Sequence, residues 1–466
     1  MLQEKRIDCK SFEENLYRLV CNLGKELYAE VLTEWDCELH KARDRKIYRD
    51  KGLRKTILKT LMGDVEYKRH VYKFTFEDGR KGIVYLLDDA IGKTESGFFS
   101  DALLERISAM VCEMPYRKAA EAISELTGQA VSHAAIWNIT QQLGGCIDEI
   151  ERSDAKKAKQ SEGVGEIETK VLFEEQDGIY LHLQGNDRKE YGKGHEMKLS
   201  IAYDGAKKTG KKRFELTNKV ACANFGGVEK FYSRKEGVIA ANYNIDEITM
   251  RILNGDGASW IKRSIDADTT YQLDKFHRNR ALRRAAVDED TRDEMLEILY
   301  DENIDYLLVY IDTLADSVSD EKQAETLRDL YTYFTNNKEG LTPYWRRVKL
   351  PEPPEGKEYR NLGAMESNVF SIIGNRMKGR RKCWSINGGN NLARLLCLKS
   401  TGKLRKAIST LSSHMPEKYS DEIITVFSAA KVKDKEGSGY NGFQSVMIPS
   451  SQKWLKDIAK IKLVYS

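Results

Sequence analysis

The sequence predicts an α/β protein preceded by a helical and β-hairpin region, on three observations. Apolar residues recur at helical spacing in residues 1–60, 101–145 and 279–336. They alternate with polar ones over VEYKRHVYKFTF and again from Val171, in VLFEEQDGIYLHLQ and HEMKLSIAYDG. Between these regimes lies a polar, Gly-containing stretch, residues 150–170, which reads as a linker.

Taken in order, residues 1–60 read as helical, with Phe12, Leu16, Leu19, Val20 and Leu23 on one face. Gly63 then opens a β-hairpin whose one face carries Val65, Tyr67, Arg69, Val71, Lys73 and Thr75. Asp78-Gly79 supplies its turn, and residues 80–87 its second strand. The segment PYRKAAEAISELTGQAVSHAAIWNITQQLG has the shape of a helix-turn-helix. Ala119, Ala120 and Ile123 face inward from its first helix, and Ala135, Ile136 and Ile139 from its second. Gly128 falls in the turn, and Ser132 can cap the second helix. A DNA-binding version would expose His133, Asn138 and Gln141 to a major groove, with Arg117 and Lys118 on the first helix beside phosphates. An ordinary helical hairpin fits the same pattern.

Beyond the linker, GVIAANYN reads as a further strand, and RILNGDGASWIKRS and TTYQLDKFH continue the α/β character. Residues 279–336 are helical, with Ile304, Leu307, Leu308, Ile311 and Leu314 in one stripe. PEPPEGKEYRNLG interrupts everything, and a helix restarts near Ala364. The organisation expected is an N-terminal region at 1–100, a helix-turn-helix at 101–150 and a core at 151–284. An acidic helical insertion at 285–345, the rest of the core at 346–410 and a C-terminal region at 411–466 complete it.

Composition bounds the class. With 41% hydrophobic and 32% charged residues over 466, the chain is neither disordered nor fibrous. No run of about 18 apolar residues is present, so no membrane span is expected. The first residues, MLQEKRIDCKSFEEN, lack a signal-peptide pattern, and the eight Cys form no CxxC pair; a cytoplasmic protein with reduced thiols is expected. Net charge is only +4, but it is segregated. Residues 41–82 hold 14 Lys/Arg against six Asp/Glu, residues 288–329 hold 15 Asp/Glu against three Lys/Arg, and residues 367–416 hold ten Lys/Arg with no acid. Basic surfaces for a polyanion, or biased solvated faces, both follow.

Three acids stand out by context. Asp177 lies within a strand pattern, Asp256 follows an apolar run between Gly255 and Gly257, and Glu366 opens a helix. Acids on neighbouring strands and a helix can converge, and a divalent metal would relieve their repulsion. Two Mg²⁺ (or Mn²⁺) ions would then serve an in-line phosphoryl displacement. Glu366, Ile373 and Met377 share a helix face by i, i+7, i+11 spacing. Arg376, Lys378, Arg380, Arg381 and Lys382 follow, as cations for a phosphate backbone. Trp384, Asn387, Asn390 and Asn391 could contact a distorted DNA end, though core packing suits Trp384 as well. No metal-ligand spacing is seen in LMGDVEYKRHVY, and His182, His195 and His277 are dispersed.

The stretches QDGIYLHLQ, NGDGASWI, LDKFH and GAMESNVFSIIGNRMKGRRKCWSINGGNNLARLL, with RDRKIYRDKGLRKTILKTLMGDVEYKRHVYKF, carry a resemblance. From about residue 40 to 400 the chain resembles the DDE transposases of the Mutator-like branch, most closely the ISLre family of insertion-sequence transposases. The resemblance implies a ribonuclease-H-like core with a mixed five-stranded sheet, interrupted by an all-helical insertion. It also implies Asp177, Asp256 and Glu366 as catalytic, metal-binding acids. Asp274 and His277 match the branch's acid-or-Cys and His pair, with an implied supporting role. The implied activity is metal-dependent cleavage of DNA ends and strand transfer. Its partners would be terminal inverted repeats and target DNA, with a homo-oligomer assembled on DNA. A non-catalytic DNA-binding derivative and a structure-selective nuclease of the same fold are the rival expectations. Glu174 and Glu175, one turn upstream of Asp177, are alternatives for the first acid.

Overall fold

The computed structural model describes residues 9–75, 81–92, 99–160, 165–263, 265, 266, 268–379 and 381–412. The expected Asp78-Gly79 turn, Arg380 and most of the C-terminal region lie outside the described residues. The chain divides into two compact units, at Gln142/Leu143 and at Leu404/Arg405. Among the described residues no helix is long and apolar enough to cross a membrane.

The N-terminal unit opens with helix α1 (Cys9–Ala42). Strands β1 (Arg49–Thr60), β2 (Gly63–Thr75) and β3 (Lys81–Val84) then form an antiparallel sheet in that order. Residues 49–60 correct the helical expectation. Leu53, Lys55, Ile57 and Lys59 alternate, and pairing with β2 from Thr60↔Gly63 onward satisfies the strand's backbone. Leu32 of α1, Leu58, Val65, Tyr67 and Leu87 build the core, Leu87 lying on α2 (Leu86–Ala90). Helices α3 (Asp101–Glu113) and α4 (Tyr116–Leu126) follow, then α5 (His133–Lys159), which belongs to the second unit from Leu143 onward. The inward residues of α4 and α5 are buried as the spacing predicts, and the Ser132 hydroxyl accepts the Ala135 N–H at 3.1 Å. Helix α5 runs through residues 150–159, where a linker was expected, because one face of this polar stretch is covered. A Cβ on Gly237 would meet the Ala155 backbone at 2.6 Å.

The second unit is built on a five-stranded mixed sheet. Its strands are β4 (Val171–His182), β5 (Gly194–Tyr203), β8 (Val220–Asn224), β9 (Met250–Gly255) and β10 (Thr269–Leu273), in the order β10-β9-β4-β5-β8. Helix α6 (Gly185–Tyr191) joins β4 to β5, and a small ribbon, β6 (Ala206–Lys208) with β7 (Phe214–Leu216), precedes β8. The β4–β5 and β5–β8 pairs are antiparallel; β4–β9 and β9–β10 are parallel. Helix α7 (Val228–Ala240) packs on the sheet. It absorbs the start of GVIAANYN, a correction of the strand expected there. Phe231 and Ile239 sit at helical spacing and are buried.

After the short α8 (Ser259–Lys262) come the basic helix α9 (Lys275–Ala285) and three acidic helices within the range expected for the insertion, α10 (Glu289–Tyr300), α11 (Ile304–Ser317) and α12 (Glu321–Asn336). Asp274, Asp288, Asn303 and Asp320 cap these four helices in turn. Leu307, Ile311, Leu327 and Phe334 share one core with Leu253 and Leu273 of the sheet.

Candidate active site

Strand register brings two of the three acids together. In the parallel β4–β9 pair, Gln176 lies opposite Gly255, so Asp177 and Asp256 are the next residues on adjacent strands. Leu273 lies opposite Gly255 on the other side of β9, which sets Asp274 and the first turn of α9 at the same end. One ligand atom from each of Asp177, Asp256 and His277 lies within 4.8 Å of the other two, and all three side chains are half-buried. Gly257, at φ +89, lets the chain turn away directly after Asp256. A Cβ there would strike the Asn337 side chain at 2.7 Å. The Asp256 carboxylate accepts the Ala258 N–H at 2.8 Å, and its carbonyl accepts the Tyr333 hydroxyl at 2.7 Å.

Glu366 does not join the 4.8 Å cluster. It is exposed, yet its charge acts on Asp177. Burial, with the like charges of Asp256 and Glu366, pushes Asp177 up to about 6, against the pull of the Gly178 N–H and His277. Helix spacing does not hold as expected around Glu366. Ile373 and Met377 are buried, but Glu366 is not. Residues Val369–Gly374 form a π-helical segment between Met365–Asn368 and Asn375–Met377. One extra residue per turn shifts the phase by about 100°.

His277 is a member of the cluster itself, more than the supporting role implied for it. Its Nδ1 lies 3.0 Å from Asp274 Oδ2, which also caps α9 by accepting the His277 N–H. That hydrogen bond, with the charges of Asp177, Asp274 and Asp256, raises His277 against the effect of burial. Burial alone would raise Asp274; the bonds from His277 and Asn254 outweigh it and hold the carboxyl below its usual range. Asp274 thereby orients the imidazole beside the two carboxylates.

Glu175 settles into a different role from that of a first acid. It is fully buried and accepts five hydrogen bonds, from Tyr203 Oη, Asn254 Nδ2 and the backbone N–H groups of Gly363, Ala364 and Met365, at 2.7–3.2 Å. Burial raises its pKa, against the opposing hydrogen bonds from Tyr203, Ala364, Asn254 and Gly363. It anchors the start of the Glu366 helix to the sheet. Asn254 Nδ2 also donates to Asp274 Oδ1 at 3.0 Å, joining the anchor to the His277 side of the cluster. Glu174 points to the other face of the sheet and pairs with Lys235.

The basic cluster after Glu366 corrects several expectations. Arg376 is 5% exposed, with its guanidinium 5.3 Å from the Trp384 ring. Trp384 is 8% exposed and donates its Nε1–H to the Met377 carbonyl at 2.9 Å, so it packs in the core. Asn390 and Asn391 are buried and bonded to the Phe225 N–H and Arg394. Burial here follows from the Ile386–Ser400 helix, whose Gly388–Cys397 stretch is enclosed. Lys378, Arg381 and Asn387 are exposed, and Lys382 donates to the Asn375 carbonyl at 3.0 Å. In the N-terminal unit Arg117, Lys118 and His133 are exposed, and Asn138 and Gln141 are half-buried. Sequence reasoning missed the cations of α9, where Lys275, Arg280, Arg283 and Arg284 are exposed on the helix that starts at the cluster. The run KFHRNRALRR behind LDKFH was the available signal.

Known proteins place these features in a family. The chain is 25% identical over 400 residues to a UPF0236 protein in the vanSb 3′ region of Streptococcus gallolyticus, covering 84% of this chain and 80% of that protein. It is 25% identical over 397 residues to a UPF0236 protein of Caldanaerobacter subterraneus, covering 83% of this chain and 77% of the relative, whose name joins eleven locus designations. A second protein of that organism, also named UPF0236, is 23% identical over 415 residues, with 87% and 82% covered. The profile of the uncharacterised protein family UPF0236 matches residues 2–412, and the chain belongs to that family.

Proposed function

We propose that the chain is a DDE-type transposase of an insertion sequence, which cleaves DNA ends and joins them to target DNA. The observation that carries this reading is the meeting of Asp177, Asp256 and His277 within 4.8 Å at adjacent strand ends, with the Glu366 charge acting on Asp177. The sheet supports it: three antiparallel strands followed by two parallel ones, in the order β10-β9-β4-β5-β8, fit the ribonuclease-H-like core that the resemblance implies. The helical block between β10 and Glu366 fits the insertion that the resemblance implies. A relative's name with eleven locus designations in one organism fits an element that copies itself.

The donor set fits Mg²⁺ or Mn²⁺. Asp177 and Asp256 offer hard carboxylate oxygens within the cluster, and Glu366 a third whose charge acts on Asp177 from outside it. Two such ions, when bound, would supply polarisation of the attacking and leaving oxygens in an in-line displacement. The protein's own groups do the rest. Asp274 holds the His277 ring beside the acids, where it can meet a phosphate oxygen. Glu175 fixes the helix that carries Glu366. The exposed Lys275, Arg280, Arg283 and Arg284 track the phosphate backbone, a sequence-independent and salt-dependent contact. Arg117, Lys118 and His133, on the α4–α5 pair, would contribute to end recognition.

The test is Asp256→Asn assayed on terminal-repeat DNA with Mg²⁺ or Mn²⁺. Loss of cleavage by roughly 10³-fold or more is expected, the scale of several kcal/mol of lost charge stabilisation, with end binding in a gel shift retained. Cleavage at the parental rate refutes the assignment. An inactive parent that binds ends identifies a non-catalytic derivative instead.

A further inference from the structure

The N-terminal unit holds a second convergence of metal-ligating side chains, one that no sequence spacing announced. We propose that His40, His70 and Asp50 form a binding site for a divalent transition ion of the zinc type. One ligand atom from each lies within 4.8 Å of the other two. They come from three elements, α1, β2 and β1. The β1–β2 register shifts between Asp50 and Leu53, a bulge at which Gly52 adopts φ +89 and donates its N–H to Asp50 Oδ1 at 2.8 Å. That bulge fixes the carboxylate beside the two imidazoles.

Each imidazole is already held through one nitrogen. His70 Nδ1 lies 2.6 Å from Asp36 Oδ2, and the same oxygen accepts the His70 backbone N–H at 2.9 Å. Asp36 is 1% exposed. His40 Nδ1 lies 3.1 Å from the hydroxyl of the fully buried Tyr72. The Nε2 atoms remain for an ion, on rings stacked with centroids 3.8 Å apart. A buried carboxylate bonded to Nδ1 is the device that fixes the tautomer of a metal-ligating His and raises the basicity of its other nitrogen. Two imidazoles and one carboxylate suit Zn²⁺ far better than Mg²⁺, and three protein ligands leave a fourth position for water. Arg43, with its guanidinium 5.6 Å from the Tyr72 ring, faces the same cluster and weakens it for a cation. The ion would tie α1 to the edge of the sheet. Nothing in this inference depends on the transposase reading.

The experiment uses the full chain carrying Asp177→Asn and Asp256→Asn, so that the other cluster does not compete. After chelator treatment, Zn²⁺ is titrated by calorimetry, and Co²⁺ binding is read by visible absorption. Zn²⁺ binding and a rise in Tm are expected. Adding His40→Gln and His70→Gln should weaken binding by about a hundredfold or more, and Asp36→Asn by about 10–100-fold, the usual effect of losing an outer-shell partner. Absence of binding, or equal binding without the two imidazoles, overturns the proposal. Should the Gln variants fail to fold, the Co²⁺ spectrum of the intact cluster decides. A tetrahedral nitrogen-and-oxygen ligand field supports the site. A thiolate-to-metal band, which would move the ion to an exposed cysteine (Cys9, Cys37 or Cys383), or a six-coordinate aquo-like spectrum, overturns it.

Discussion

Glu174 and Asp177 stand three residues apart on one strand and meet opposite fates. Glu174, 2% exposed, lies 2.6 Å from Lys235 and 3.3 Å from Arg251, and Glu236 completes the group at 2.9 and 2.7 Å from the same two cations. Burial works against the charges of Lys235, Glu236 and Arg251, yet their partners win. Lys235 is pushed up to about 12, Glu236 falls to about 2, and Arg251 rises as well. On the other face Asp177 has carboxylates for company, and burial raises it to about 6. Burial is common to both; what differs is whether cations were built in. Where the chain supplies them, buried charge holds the fold together. Where it withholds all but one imidazole, negative potential is left over for something brought from outside.

The sharpest way to break this contrast is Lys235→Met. It removes the cation shared by Glu174 and Glu236 and leaves a buried acid partly unpaired. A loss of about 3–5 kcal/mol is expected, read from the urea midpoint at unchanged slope. The cleavage proposed above, per folded molecule, should not change. A neutral result would mean that the paired face is no more structural than the unpaired one.

Glu175→Gln acts between the two regions. Gln keeps the shape but turns one acceptor oxygen into an NH₂ that faces donors from Tyr203, Asn254 or the 363–365 backbone. A loss of about 1–3 kcal/mol is expected. Because the bonds seat the Glu366 helix, the proposed function predicts that the folded variant also cleaves more slowly and needs more Mn²⁺ for half-maximal rate. A stability loss with an unaltered metal requirement would reduce Glu175 to an ordinary buried acceptor.

How far the sequence reveals these roles depends on how local their causes are. Asp177 and Asp256 are legible because alternation and the flanking glycines are local, and parallel pairing of β4 with β9 carries them side by side. The helical block is legible from its caps and its Ile304–Leu314 stripe. Glu175 is not, since three of its donors lie 188–190 residues further along. Trp384 and Arg376 look like DNA contacts because a basic run reads as surface, but the enclosing helix that buries them follows later in the chain. Residues 49–60 look helical because Leu, Lys and Arg favour helices, and only pairing with β2 overrules them. The His40–His70–Asp50 cluster arises from a bulge, which leaves no periodic trace.

The smallest expected effect is the most direct probe of the unpaired face. Asp177 has an ordinary value near 3.8 when unfolded and about 6 when folded, so the native state holds its proton more tightly. Stability from this group is therefore complete below pH 4 and lost as pH rises through about 6. Asp177→Asn removes that dependence. Without divalent ions the variant should be more stable than the parent at pH 8 by roughly 1 kcal/mol, after allowance for partial solvent screening. The advantage should vanish toward pH 4. Adding Mn²⁺ at pH 8 should reverse the order, because an ion that binds only the folded parent stabilises it in proportion to RT ln(1 + [L]/Kd). Thermal unfolding across this pH range, with and without Mn²⁺, reads all three. A parent that is already the more stable protein at pH 8 without metal would mean that His277 alone balances the acids, and the reason for placing an ion between them would be gone.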